Sequence, residues 1–96
     1  MHVALPQIRV TIPLALRPFC RGENQLCLEA GCIRDLLEEL AREHPQVHVR
    51  LCDERGDPRP HINVFVNDEH IRARAGLDTP LTAGDLVFIL PAVSGG

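Results

Sequence analysis

Lysine is absent from this chain: all ten basic residues are arginine. No side-chain amine is therefore available to form a Schiff base or to accept an isopeptide bond. Tryptophan and tyrosine are missing as well, and Phe19, Phe65 and Phe88 are the only aromatic residues. That leaves no platform on which nucleic-acid bases could stack. A formal charge of −3 and a pI near 5.9 argue in the same direction. Such a mildly acidic surface suits partners that are basic around their docking site, and not nucleic acid. No apolar run reaches transmembrane length, and the opening MHVALPQIRV has no charged leader ahead of a long apolar core. The expectation is a cytoplasmic protein with no membrane contact, whose Cys20, Cys27, Cys32 and Cys52 are reduced thiols and not a disulfide framework. A Gly-rich phosphate loop, a nucleophile elbow and a paired-carboxylate signature are also lacking, so no enzyme is expected.

What is present is ordinary globular material: 96 residues, 45% hydrophobic and 24% charged, enough for one small domain with a single core. Ile8, Val10 and Ile12 alternate with Arg9 and Thr11, the period of a strand with one buried face. Pro13 and Pro18 bracket its end, and RPFCRGEN reads as turn. QLCLE alternates again, with Leu26 and Leu28 inward and Cys27 outward, a partner for the first strand. From Cys32 to His44 the period changes. Ile33, Leu36, Leu37, Leu40 and Ala41 form the stripe of an amphipathic helix, with Asp35, Glu38 and Glu39 early, Arg42 and His44 late, and Pro45 closing it. Gly56, Pro58 and Pro60 mark a loop. HINVFVNDEHIR gives a strand with Ile62, Val64 and Val66 on one face, a turn at Asn67-Asp68, and a short strand about Ile71. AGLDTPLTAGD reads as a loop turning at Gly84-Asp85, and LVFIL as the last strand. Strand, strand, helix, strand, short strand, strand predicts an α+β chain of the β-grasp kind. Its mixed sheet has four to five strands with one main helix across one face, and its first and last strands lie side by side in the centre. Residues 1–90 form the domain and residues 91–96 a flexible tail.

The cysteines and histidines invite metal chemistry, and their spacing argues against it. A plant-type iron–sulfur site needs C-x4-C-x2-C with a distant fourth cysteine, whereas here Cys27 falls in a strand and Cys32 at a helix start. His44, His48 and Cys52 make H-x3-H-x3-C, but Pro45 breaks the helix that would align them and no fourth ligand is evident. No metal site is expected. Cys32 stands at the helix N-terminus, where a thiol's pKa falls, yet no base is near it in sequence and a weak cap is the plainer role.

The last strand leads into PAVSGG. If Val87 and Ile89 face the helix, Leu86, Phe88 and Leu90 face away from it. Phe65 likewise opposes the face of Ile62, Val64 and Val66. Phe65, Phe88 and Leu90 would then form an exposed docking patch leading straight into the tail. GDLVFILPAVSGG, with FVNDEHIR, GLDTPL and the opening IRVTIPLALRPF, resembles the MoaD/ThiS family of ubiquitin-like sulfur carriers. The version here is similar to the CysO-type carriers of amino-acid sulfur metabolism. Cys32 departs from the Thr or Ser that commonly caps the helix there.

The resemblance implies a protein co-substrate with no bound cofactor. An ATP-dependent adenylyltransferase of the MoeB/ThiF type would adenylate the carboxylate of Gly96, and sulfur would displace AMP to leave a thiocarboxylate. Gly95 would enter a narrow channel without a Cβ, flanked by Pro91, Ala92, Val93 and Ser94. The acceptor would be a cysteine-synthase-like enzyme, joined by a metallopeptidase, or the large subunit of molybdopterin synthase. The alternative is a ubiquitin-like modifier joined through Gly96 to lysines of other proteins.

Overall fold

The computed structural model of the chain describes residues 4–92. Five strands make one mixed sheet in the order β2-β1-β5-β3-β4, with β1 Gln7–Thr11, β2 Gln25–Glu29, β3 Ile62–Val66, β4 Glu69–His70 and β5 Leu86–Pro91. β1 and β5 run parallel in the centre, as the order of elements implies, and every other pairing is antiparallel. Alternation sorts the faces. Ile8, Val10, Ile12, Leu26, Leu28, Ile62, Val64, Val66, Val87 and Ile89 are all buried, in one cluster with Ile33, Leu36, Leu37 and Leu40 of α1, Ile33–Glu43.

α1 starts at Cys32, whose side chain makes no capping bond. The first helical donor is instead met from afar: Ile33 N–H donates to the Thr79 carbonyl at 3.1 Å, and Leu81 N–H donates back to the Gly31 carbonyl at 3.0 Å. Thr79 is itself fully buried, its hydroxyl donating to the Gly76 carbonyl at 2.7 Å and accepting from Ala75 N–H at 3.2 Å. The loop thus supplies what the weak cysteine cap cannot.

Several local expectations are corrected. The turn RPFC belongs to a 3-10 helix, Leu14–Cys20, with Pro18 inside it, and the chain reverses through Arg21 at φ 61°. A second helix, α2, spans Pro45–Leu51 and buries Val47 and Leu51. Pro45 ends α1 and also opens α2 at its first position, where a missing N–H costs nothing. It does not break the His44-x3-His48-x3-Cys52 run, which caps and threads α2. The short strand lies at β4, and Ile71 begins a 3-10 turn. The loop AGLDTPLTAGD holds another 3-10 turn, Gly76–Asp78.

β5 runs one residue past the expected domain end at 90, through Pro91. A proline is allowed there because bonded positions alternate along a ladder. Ala92 N–H donates to the His61 carbonyl at 2.6 Å, so Pro91 turns its nitrogen away from β3, toward a flank where β1 has already ended. No ladder bond is lost. Among the described residues no helix is long and apolar enough to cross a membrane.

Candidate functional site

The outer face of the sheet carries the side chains that the alternation turns away from the core. On β5, Val87 and Ile89 are inside at 0% and 1% exposure, whereas Phe88 is half-buried and Leu90 is 43% exposed. The strand faces are therefore the expected ones. Pairing places the three patch residues together: Phe65 is directly opposite Phe88, and Asn63 opposite Leu90. On its other flank Phe88 is level with Thr11 of β1.

The structure extends this row with residues that the sequence reading omitted. The tight β3–β4 turn sets Phe65 opposite His70, and the two rings meet edge to face at 5.1 Å between centroids. His70 is held on both nitrogens. Its Nδ1 accepts from Arg72 N–H at 3.0 Å, which leaves Nε2 to donate to Asn63 Oδ1 at 3.0 Å. The two bonds fix the orientation of the imidazole, which stands as a wall beside Phe65. A two-residue turn at Asn67-Asp68 implies this pairing, because residues 66 and 69, then 65 and 70, must face each other. The signal was present in NDEH but hidden by centring the strand on Ile71.

A polar clamp fixes where β5 begins. Asn67 adopts φ 57°, its Oδ1 accepting from Leu86 N–H at 3.1 Å and its Nδ2 donating to Asp85 Oδ1 at 3.2 Å. Asp85 Oδ2 accepts from Thr82 N–H at 2.9 Å. The Thr82 amide bond, helped by the Asn67 and Thr82 side chains and by Arg74, holds the Asp85 carboxyl below its ordinary range despite some burial.

The patch runs directly toward the tail. Pro91 is level with Ile62, and Ala92 is tied to His61; both residues are exposed. Val93, Ser94, Gly95 and Gly96, the remaining expected tail residues, lie outside the described residues.

The thiols are distributed unevenly. Cys20 and Cys52 are buried, Cys32 is half-buried and Cys27 is exposed on the outer face. Burial, with the Asp53 carboxylate adding to it, pushes the Cys52 thiol up to about 11. Burial and Glu23 also raise Cys20, whose Sγ lies 3.4 Å from the Glu23 carbonyl. Burial lowers the pKa of His48. Among the described residues no three His, Cys, Asp or Glu side chains converge as a metal site would require.

With this geometry in place, comparison with known proteins identifies relatives. A family model described as the ThiS family matches residues 17–96. The sulfur carrier protein CysO of Mycobacterium tuberculosis is 34% identical over 91 residues, which cover 93% of this chain and 98% of that protein. Small archaeal modifier protein 3 of Haloferax volcanii is 34% identical over 64 residues, covering 67% of this chain and 68% of that protein. Among solved structures, the fold superposes with a TM-score of 0.82 on a chain from the Amycolatopsis orientalis BexX/CysO complex. That chain is 34% identical, with 93% of this chain and 99% of that one covered.

Proposed function

The chain belongs to the ThiS family, and from that premise we propose that it is a sulfur carrier whose working group is the carboxylate of Gly96. It acts as a protein co-substrate. A carboxylate oxygen attacks the α-phosphorus of ATP on an activating enzyme of the MoeB/ThiF type, and pyrophosphate leaves. Hydrosulfide then attacks the acyl carbon and AMP leaves, so that a thiocarboxylate remains. With a persulfide as donor the same attack gives an acyl disulfide, which a second thiol cleaves to the thiocarboxylate while forming a disulfide with the donor's sulfur. The carrier delivers this sulfur to an acceptor enzyme in the synthesis of cysteine or a related metabolite, with molybdopterin the other candidate.

The observation that supports this reading best is the continuity of Phe65, Phe88 and Leu90 with the strand end at Pro91. An activating enzyme gripping that patch would hold the tail pointed into its catalytic channel. Pro91 stiffens the exit from the sheet and lowers the entropy lost on docking an extended segment. Ser94 and Ala92 are small, and Gly95 brings no Cβ into a narrow channel. The CysO chain of Amycolatopsis orientalis stands in a complex with BexX, and by analogy the carrier reading requires docking to a partner here.

The test is charging of the purified chain by a ThiF-type enzyme with ATP and sulfide, followed by intact-mass measurement. Replacement of one oxygen by sulfur supports the proposal, and an unchanged mass in the presence of a demonstrably active enzyme refutes it. The similarity to small archaeal modifier protein 3 supports a second reading, a modifier joined to lysines. Gly-Gly remnants on the lysines of other proteins would establish that role. The lack of lysine means that this chain cannot extend itself through its own side chains.

A further inference from the structure

The sheet has two edges, and the fold guards one of them. β4 is only two residues long, too short to template another strand. β2 offers five regular residues, Gln25–Glu29, free of the proline, lysine or bulge with which proteins usually blunt an edge. Its hydrogen-bonding phase follows from the ladder with β1. Ile12 N–H donates to the Asn24 carbonyl at 2.9 Å, and Ala30 N–H donates to the Pro6 carbonyl at 3.2 Å. Bonded positions alternate in an antiparallel pair. Given the register Val10↔Leu26 and Ile8↔Leu28, Leu26 and Leu28 aim their backbone groups at β1. Gln25, Cys27 and Glu29 aim theirs outward, and among the described residues no turn, loop or cap bond takes them up. The side chains of the same three residues are exposed on the outer face.

From this arrangement we infer that β2 is a self-complementary edge, which pairs antiparallel with β2 of a second copy across a two-fold axis at Cys27. That axis engages all the outward groups of both copies, about six backbone bonds. It sets Cys27 against Cys27 of the second copy and Gln25 against Glu29, twice. The side-chain match is one the chain already makes internally: Gln7 Nε2 donates to Glu29 Oε1 at 3.0 Å, which leaves the other carboxylate oxygen free for Gln25 of the second copy. An axis moved to Glu29 would oppose two carboxylates, so the polar residues select the axis at Cys27. The Phe65, Phe88 and Leu90 patch lies beyond β1 from this edge, so pairing leaves it open. The inference does not depend on the sulfur-carrier reading.

The bonded pair at the axis would hold its Cα atoms about 5.5 Å apart, inside the roughly 4.4–6.8 Å span that a disulfide tolerates. The Cβ atoms of such a pair stand about 5 Å apart, so oxidation traps the pair once a small twist of the two-stranded seam brings them within the roughly 3.5–4.5 Å of a disulfide. Two Cys27 thiols lose two protons and two electrons to form the disulfide, and one molecule of glutathione disulfide is reduced to two of glutathione. The experiment treats the full chain with glutathione disulfide and follows the covalent dimer on non-reducing gels, with peptide mapping of the link. A Cys27–Cys27 dimer is expected, and Cys27→Ser should lose it. Gln25→Glu opposes carboxylates on both sides of the axis and should slow trapping severalfold. Adding Glu29→Gln to Gln25→Glu restores the match and should restore the rate, whereas adding Glu54→Gln restores only the net charge and should not. Absence of a Cys27-linked dimer, an unchanged rate in Gln25→Glu, or equal rescue by Glu54→Gln would each overturn the inference.

Discussion

Replacing Phe88 by glutamate separates docking from folding, because Phe88 and its neighbour Val87 occupy opposite faces of one strand. Val87 is fully buried and level with Val10 on one flank and Val66 on the other. A carboxylate there would have no partner, at a penalty of several kcal/mol, comparable with the whole stability of a small domain, about 5–15 kcal/mol. Val87→Glu should therefore unfold the protein. Phe88 is only half-buried, between Thr11 and Phe65. Its loss removes the side chain level with Phe65 on the neighbouring strand, a cross-strand neighbour worth about 0.2–1 kcal/mol, and the new carboxylate stays in water. Phe88→Glu should fold with a modest fall in its urea midpoint. A central aromatic anchor contributes roughly 2 kcal/mol or more to an interface, so the affinity for the activating enzyme should drop by about 30-fold. Urea melts followed by circular dichroism give the first quantity, and titration calorimetry gives the second. Unaltered affinity in a folded Phe88→Glu protein would remove the patch from the docking argument. Comparable destabilisation by the two substitutions would refute the assignment of faces.

Deleting Gly96 should abolish charging while leaving the fold intact, since one extended residue shifts the carboxylate by about 3.3 Å and misplacement by about 1 Å can cost on the order of a hundredfold; Gly95→Val should fail through its branched Cβ, and intact mass with circular dichroism checks both. A chain with all four cysteines changed to serine should still be charged whenever it folds, because the sulfur rides on Gly96. The raised Cys52 pKa makes a signed prediction: between the ordinary thiol value of 9.0 and about 11 the unfolded chain loses a proton that the folded chain keeps, so stability should fall across that window. Cys52→Ala should flatten this alkaline limb in urea melts taken from pH 8 to 11, a range chosen to bracket both values. Asn67→Ala loses two side-chain hydrogen bonds and strains a residue at positive φ, so it should cost about 1–2 kcal/mol by urea denaturation.

The sheet was legible because its signal is redundant. Each strand repeats the same alternation, and the inward set Ile8, Val10, Val64, Val87 and Ile89 follows from parity alone. The same parity places Phe65 and Phe88 outward, and pairing then makes them neighbours. α2 was not legible, because it shows only Val47 and Leu51 as apolar repeats and opens on a proline that equally well ends α1. The polar fasteners were hidden for another reason. Thr79 serves α1 from 46 residues away in sequence (Ile33 to Thr79), and no local pattern announces a bond of that range. His70 is intermediate: the turn that pairs it with Phe65 is local, yet its use of both nitrogens appears only in three dimensions.

The parallel contact between β1 and β5 bears on how the domain answers force. A pull along the tail draws β5 lengthwise between β1 and β3, both of which hydrogen-bond to it. The load falls on the bonds of both flanks together, in shear, so they must fail as a group and cannot unzip one by one. Unfolding under such tension is governed by the barrier to that joint rupture and not by the equilibrium stability. An enzyme that seizes the last residues can therefore strain them against a rigid anchor while the domain behind them stays whole.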